Sequence, residues 1–252
     1  MYNHPQYEIE KGKNLSKIVK KVADKTLGIP MRSFMRNVVA NPLFRINYAV
    51  TTVGDEHALS CTDGAIVISN HVSRLDGPFL MNEAWPFARI WATSWGREYD
   101  KVRFLMWVFS VIPLGSSREL PTKDRARRRE KAMHIMNRVV RAGRHLLIFA
   151  EGGIGDGTTV KVDQKLSGVH DLIRDNPDKP VLMVRIIGLE KSMFGKRALR
   201  WYKRLRRLPV IIVLERFDNV ALYGGPSSLN KRIEQYYNLD IPLATVPKSS
   251  AF

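Results

Sequence analysis

The apolar positions of this chain fall into short runs that alternate with longer stretches of helical spacing. Runs of about four to eight apolar residues stand at Ala65 to Ser69, His145 to Ala150 (HLLIFA), 180–187 (PVLMVRII) and 209–215 (PVIIVLE), and each reads as a strand covered on both faces. Arg89 to Ser94 reads as a further strand. Thr122 to Ala142 is the clearest helix, with Ala132, Met133, Ile135, Met136, Val139 and Val140 on one side and Gly143 as its stop. Shorter helices are predicted at Gly77 to Ala84, Lys101 to Phe109 and Leu166 to Arg174. Leu15 to Ala49 reads as mainly helical, with breaks near Gly28-Ile29-Pro30 and Asn41-Pro42. Strands alternating with helices predict an α/β fold, a mixed and largely parallel sheet flanked by helices over 51–252, preceded by a basic helical segment over 1–50. In such sheets ligands collect where the chain leaves the carboxyl ends of the strands.

Charge adds a partner to this picture. The 252 residues carry 41 Lys and Arg against 24 Asp and Glu, a formal charge of +17, which draws a polyanion: nucleic acid, anionic lipid headgroups or an acidic carrier protein. The basic residues cluster at 11–25, 123–131 and 195–207. The middle cluster reads as a solvated face. The first and third are interleaved with apolar residues at helical spacing, as a helix lying on an anionic membrane requires. The longest apolar run, VRFLMWVFSVIPLG over 102–115, falls short of the roughly 18 to 20 residues that span a bilayer. The expected contact is therefore amphipathic and peripheral. Hydrophobic content of 44% with 26% charged residues is that of a globular chain. The single cysteine, Cys61, allows no internal disulfide framework and suits a reducing compartment. Met1 to Glu10 is polar with no apolar run after it, so no secretory signal is expected.

Both conspicuous polar runs lie at strand exits. SNHVSRLD (69–76) leaves GAIVI, and EGGIGDG (151–157) leaves HLLIFA. In a regular helix residues five apart stand about 140° apart around the axis, so His71 and Asp76 would not face each other. They meet if His71 lies in the turn and Asp76 opens the next helix, which Gly77-Pro78 favours. A carboxylate so placed holds one imidazole nitrogen as N–H and leaves the other as a base. The bland alternative is that Asp76 caps the helix while His71 packs or faces solvent, and for an isolated His-x4-Asp it would win.

Four segments together weigh against that alternative. SNHVSRLDGP resembles the first motif of the glycerolipid acyltransferases, the family that includes the 1-acylglycerol-3-phosphate acyltransferases. IPLGSSR (112–118), FAEGGIGDG (149–157) and KPVLMVRI (179–186) resemble its second, third and fourth motifs, in the family's order. The resemblance implies that His71 is the general base, oriented by Asp76. It implies that an acceptor hydroxyl attacks the thioester of acyl-CoA or an acyl carrier protein, with no covalent enzyme intermediate, no cofactor and no metal. It carries acceptor binding to Arg118, Glu151 and Gly152, with Asn70 and Gly153 beside the motif cores as further expected substrate contacts. It also implies a lyso-lipid acceptor and a monotopic or peripheral enzyme on the cytoplasmic face of a membrane.

The third motif departs from the family pattern. Family members have Pro before the Glu and Thr-Arg-Ser after the Gly, whereas this chain has Ala150 and then Gly153-Ile154-Gly155-Asp156. An arginine that would hold a phosphate is missing, and Asp156 would repel one. Either Lys161, Lys165 or Arg185 substitutes, or the acceptor carries a zwitterionic or amino-acid head group. GGIGDG lacks the Lys-Ser/Thr of a P-loop and the dinucleotide spacing. A nucleic-acid-binding module would account for the charge, but no zinc spacing or RNA-recognition aromatic motif accompanies it, so no nucleic acid is expected. A serine hydrolase would need Gly-x-Ser-x-Gly, and a metal site a third ligand of regular spacing; neither is present.

Overall fold

The computed structural model describes residues 34, 38, 41–54, 64–83, 90–94, 111–113, 122–199, 207–217 and 224–239. The expected helix at 101–109, Arg118, Cys61, the first basic cluster and most of the third lie outside the described residues.

In chain order the elements are helix α1 (Asn41–Asn47), strands β1 (Tyr48–Gly54) and β2 (Ile66–Ser69), α2 (Asp76–Glu83), β3 (Ile90–Ser94) and β4 (Ile112–Pro113). They continue with α3 (Thr122–Arg141), β5 (His145–Phe149), α4 (Gly168–Arg174), β6 (Val181–Ile187), β7 (Leu208–Arg216) and α5 (Pro226–Asn238). The strands form one seven-stranded sheet in the order β1-β7-β6-β2-β5-β3-β4. All neighbours are parallel except β6 and β7, which pair antiparallel. The mixed, largely parallel sheet is thus the expected one.

Three elements differ from the sequence reading. Helix was expected to run to Ala49, but it ends at Asn47 and β1 begins at Tyr48, so β1 straddles the boundary placed at residue 50. YAVTTVG is rich in β-branched residues, and pairing with β7 over its whole length decides the conformation. The short β4 (IP) and the helix α5 were not anticipated. Helix α5 follows Gly224-Gly225 and opens on Pro226 in its first turn, a start signal that was present in the sequence.

Strand residues alternate between two cores, as a pleated sheet dictates. Val67, Leu147, Leu182, Val184 and Ile186 join Phe79 and Leu80 of α2 and Phe44 of α1 in one cluster. Ile66, Ile68, Leu146, Val181 and Met183 join Met136 and Val140 of α3, Leu172 of α4 and Ile233 and Tyr237 of α5 in the other. Helices therefore cover both faces of the sheet, which is why β2 and β6 read as apolar runs apart from Ser69 and Arg185. Phe79 is fully buried and packs edge-on to Phe44 and Tyr48 at ring separations of 5.3 and 5.5 Å; its truncation to Ala would cost about 3–5 kcal/mol. Gly143 ends α3 as expected, with φ 71° and its N–H on the Val140 carbonyl at 3.0 Å.

The register has one consequence for function. Strands β5, β2 and β6 are consecutive and parallel, so their carboxyl ends emerge side by side. The three segments that leave them, 70–76, 150–157 and 188–199, meet at one edge of the sheet.

Candidate active site

The turn after β2 is built around one carboxylate. Asp76 is the first residue of α2 and fully buried. Its Oδ2 accepts the Val72 N–H at 2.6 Å, the Ser73 N–H at 2.9 Å and the His71 Nδ1–H at 2.8 Å. The two backbone donors fix the carboxylate within the turn, and the carboxylate in turn fixes the imidazole. With Nδ1 carrying the proton, Nε2 is left as the acceptor. The His71 side chain keeps 17% of its surface exposed while Asp76 keeps none, so the imidazole reaches solvent and the carboxylate does not. Burial pushes the Asp76 carboxyl upward, and the His71 bond and the Ser73 and Val72 N–H groups oppose that push. The arrangement is the one required of the turn: His71 precedes the helix and Asp76 opens it.

The neighbouring turn supports His71 from a second side. Phe149, the last residue of β5, stacks on the imidazole with ring centroids 4.2 Å apart and planes 22° apart. Glu151 Oε1 accepts the His71 backbone N–H at 2.7 Å, and the Gly155 N–H donates to the His71 carbonyl at 2.6 Å. A methyl group at Gly155 would stand 2.5 Å from Glu151 Oε2. The glycine that replaces the family's usual residue therefore lets the third-motif turn close on the His71 backbone. Burial holds the Glu151 carboxyl above its ordinary range, with the bond from the His71 N–H pulling the other way.

The remaining candidate residues divide. Asn70 is buried, and its amide bonds both backbone groups of Ile186: Nδ2–H to the carbonyl at 2.9 Å and Oδ1 from the N–H at 2.8 Å. A side chain thus prolongs the β2–β6 ladder by one rung and sets where His71 begins. Gly152 takes φ 68° with its N–H on the Phe149 carbonyl at 3.3 Å, while Gly153 is exposed with open space on its side-chain face. Arg185 does not fill the role of the missing arginine. Its Nη1 donates to the Leu239 carbonyl at 2.6 Å and its Nη2 to the Tyr236 carbonyl, where it caps the end of α5. Lys161 and Lys165 are exposed on a segment that α5 holds through Val160 N–H to Asn238 and Val162 N–H to Glu234. Asp156 closes its own turn, its Oδ1 accepting the Thr158 N–H at 2.9 Å and hydroxyl at 2.6 Å. These bonds hold its carboxyl below the usual range.

Sequence reasoning missed Phe149 and Gly155 as partners of His71, although both lie inside the quoted third motif. Among the described residues no group of three His, Cys, Asp or Glu side chains could hold a metal ion.

Comparison with known proteins bears on this geometry. A family model described as Acyltransferase matches residues 50–181, over half of the chain. No curated protein matches the sequence. Among solved structures, the 1-acyl-sn-glycerophosphate (LPA) acyltransferase PlsC from Thermotoga maritima is similar in fold, with a TM-score of 0.55 and 17% identity over 87% of this chain and 80% of that one. The matched residues hold the His71–Asp76 pair, the Glu151 turn and the strands that align them, and on that match the chain belongs to the acyltransferase family.

Proposed function

We propose that this enzyme moves a fatty acyl group from acyl-CoA or acyl carrier protein to the hydroxyl of a lyso-lipid, with His71 as general base and Asp76 as its orienter. The observation that carries the reading is the 2.8 Å bond from His71 Nδ1 to a carboxylate that is itself held by two backbone N–H groups. Nε2 takes the hydroxyl proton as the acceptor oxygen attacks the thioester carbonyl. The tetrahedral intermediate then collapses, the thiolate leaves, and the imidazolium returns the proton to the sulfur. The substrate supplies the nucleophile, so the site needs no nucleophilic side chain.

A lysophosphatidic-acid-like acceptor is the favoured substrate. The Thermotoga maritima protein of similar fold is an acyltransferase for that acceptor. An argument for a cationic head group would rest on Asp156 or Glu151; Asp156 Oδ1 accepts two bonds from Thr158, and Glu151 Oε1 accepts the His71 N–H. The basic segment over 11–25 supports peripheral binding to an anionic membrane on its cytoplasmic face.

The test is an acyl-transfer assay with labelled acyl-CoA and acyl-carrier-protein donors against a panel of phosphate-bearing and zwitterionic lyso-lipids, with products identified by mass. Transfer to lysophosphatidic acid above the other acceptors is expected. Preference for an amino-acid or zwitterionic head group would overturn the acceptor, and no transfer to any lyso-lipid would overturn the function.

A further inference from the structure

The segment that leaves β6 ends in an exposed apolar tip. Its base is anchored: Leu189 and Ser192 are buried, and the Glu190 carboxylate accepts the Gly188 N–H at 2.8 Å. Three backbone bonds tighten the turn, from Gly195 N–H to Ser192, Arg197 N–H to Glu190 and Leu199 N–H to Lys191, each at 3.0 Å. Between these anchors Met193 and Phe194 stand 60% and 44% exposed. Lys191, Lys196 and Arg197 flank them and are exposed as well. A lone exposed apolar residue carries no message. Two adjacent ones on a braced turn, ringed by three cations within residues 191–197, match the layering of an anionic leaflet, phosphates outside and hydrocarbon beneath.

The tip is coupled to the site. Ser73 bridges Gly195 in antiparallel fashion, the Arg74 N–H donates to the Phe194 carbonyl at 3.3 Å, and the Ser73 and Ser192 hydroxyls lie 3.2 Å apart. These contacts join the tip to the turn that His71 and Asp76 share.

We propose that residues 191–197 are a membrane-contact tip: Met193 and Phe194 enter the leaflet, Lys191, Lys196 and Arg197 lie among its anionic headgroups, and the His71 turn is thereby held at the bilayer surface. This rests on the reading that the acceptor is a lipid, and it places a second contact far in sequence from the N-terminal basic segment. The order of apolar tip and cationic collar favours lipid over an acidic protein, because two side chains offer little area for a protein interface but enough to enter hydrocarbon.

The test uses the full chain in two arms. In the first, Phe194→Cys in a Cys61→Ser background carries an environment-sensitive fluorophore. Its emission should shift to the blue with phosphatidylcholine vesicles containing phosphatidylglycerol, and less so with pure phosphatidylcholine or at raised salt. No shift with either vesicle overturns the proposal, as does a shift produced only by acyl carrier protein, which would mark a protein-docking site. In the second arm, Met193→Ser combined with Phe194→Ser should lower transfer to a vesicle-embedded acceptor by about tenfold, while transfer to a short-chain acceptor below its micellar concentration is kept. Equal loss on both acceptors, or loss on neither, overturns it. If the unaltered enzyme transfers to neither acceptor, the acyltransfer reading fails, and the fluorescence arm still decides the tip.

Discussion

The turns after β2 and β5 leave adjacent parallel strands at the same edge of the sheet, yet they are built in opposite ways. The first is closed by its own side chains: one carboxylate gathers the N–H groups of Val72 and Ser73 and the imidazole of His71. The second offers mainly backbone and one carboxylate outward, through Glu151 and Gly155 to the backbone of His71 and through Phe149 to its ring. On the proposed mechanism His71 must be oriented, and the local closure on Asp76 would supply that. It must also be held in place, and the turn after β5 would supply that through the His71 backbone and ring.

Substitutions can break this division of labour, and the largest effect falls on the first turn. His71→Ala removes the base and should lower kcat by about 10² to 10⁴, with circular dichroism and melting temperature close to those of the parent. Near-parental turnover in a folded His71→Ala protein would end the assignment. Asp76→Asn keeps the shape but permits the wrong tautomer of His71, and a loss on the order of 10² or more in kcat is expected with KM little changed.

Effects on the second turn should be smaller and of a different kind. Gly155→Ala drives a methyl against the Glu151 carboxylate that stands 2.5 Å away, displacing the support of the His71 backbone. A fall of roughly ten- to a hundredfold in kcat is expected, the scale of a misplaced catalytic group. Activity unchanged in this variant would show that the second turn does not position the base.

Glu151→Gln sharpens the comparison through pH. Glutamine can still accept the His71 N–H but cannot ionise. Because burial raises the folded-state value of Glu151, its ionised form is better accommodated in the unfolded chain. The parent protein therefore loses stability as pH rises through that raised value. The melting temperature of Glu151→Gln relative to the parent should climb from acid to neutral pH, and a gap that narrows instead would contradict the sign. Asp156→Asn should be the mildest change. Its oxygen can keep both Thr158 bonds, and a change of less than about twofold in the use of any acceptor is expected on kinetic comparison, as for surface substitutions in general. A strong shift in acceptor preference would restore Asp156 to the head-group site.

Much of the fold was legible because parallel strands covered on both faces leave an apolar signature that needs no partner to be recognised. Strands β2, β5, β6 and β7 and helix α3 fall within a residue or two of their expected limits. Strand β1 was not legible, since half-buried Thr51 and exposed Thr52 give it no apolar run, and it owes its conformation to β7, which lies far along the chain. The antiparallel pairing of β6 with β7 was equally hidden, because the connecting segment and not the strand sequence sets direction.

The same physical line runs through the site. The sequence by itself pointed to the His71–Asp76 pair, because the spacing around a helix start lets the imidazole and the carboxylate meet within one turn, and three further segments in family order singled that turn out. Only the tertiary structure decided what surrounds them. Glu151 reaches His71 across 80 residues, Asn70 reaches Ile186 across 116, and Arg185 is spent on the end of α5 instead of a phosphate. No spacing encodes such contacts. They follow from which strands lie side by side, and strand order is settled by the packing of the whole sheet.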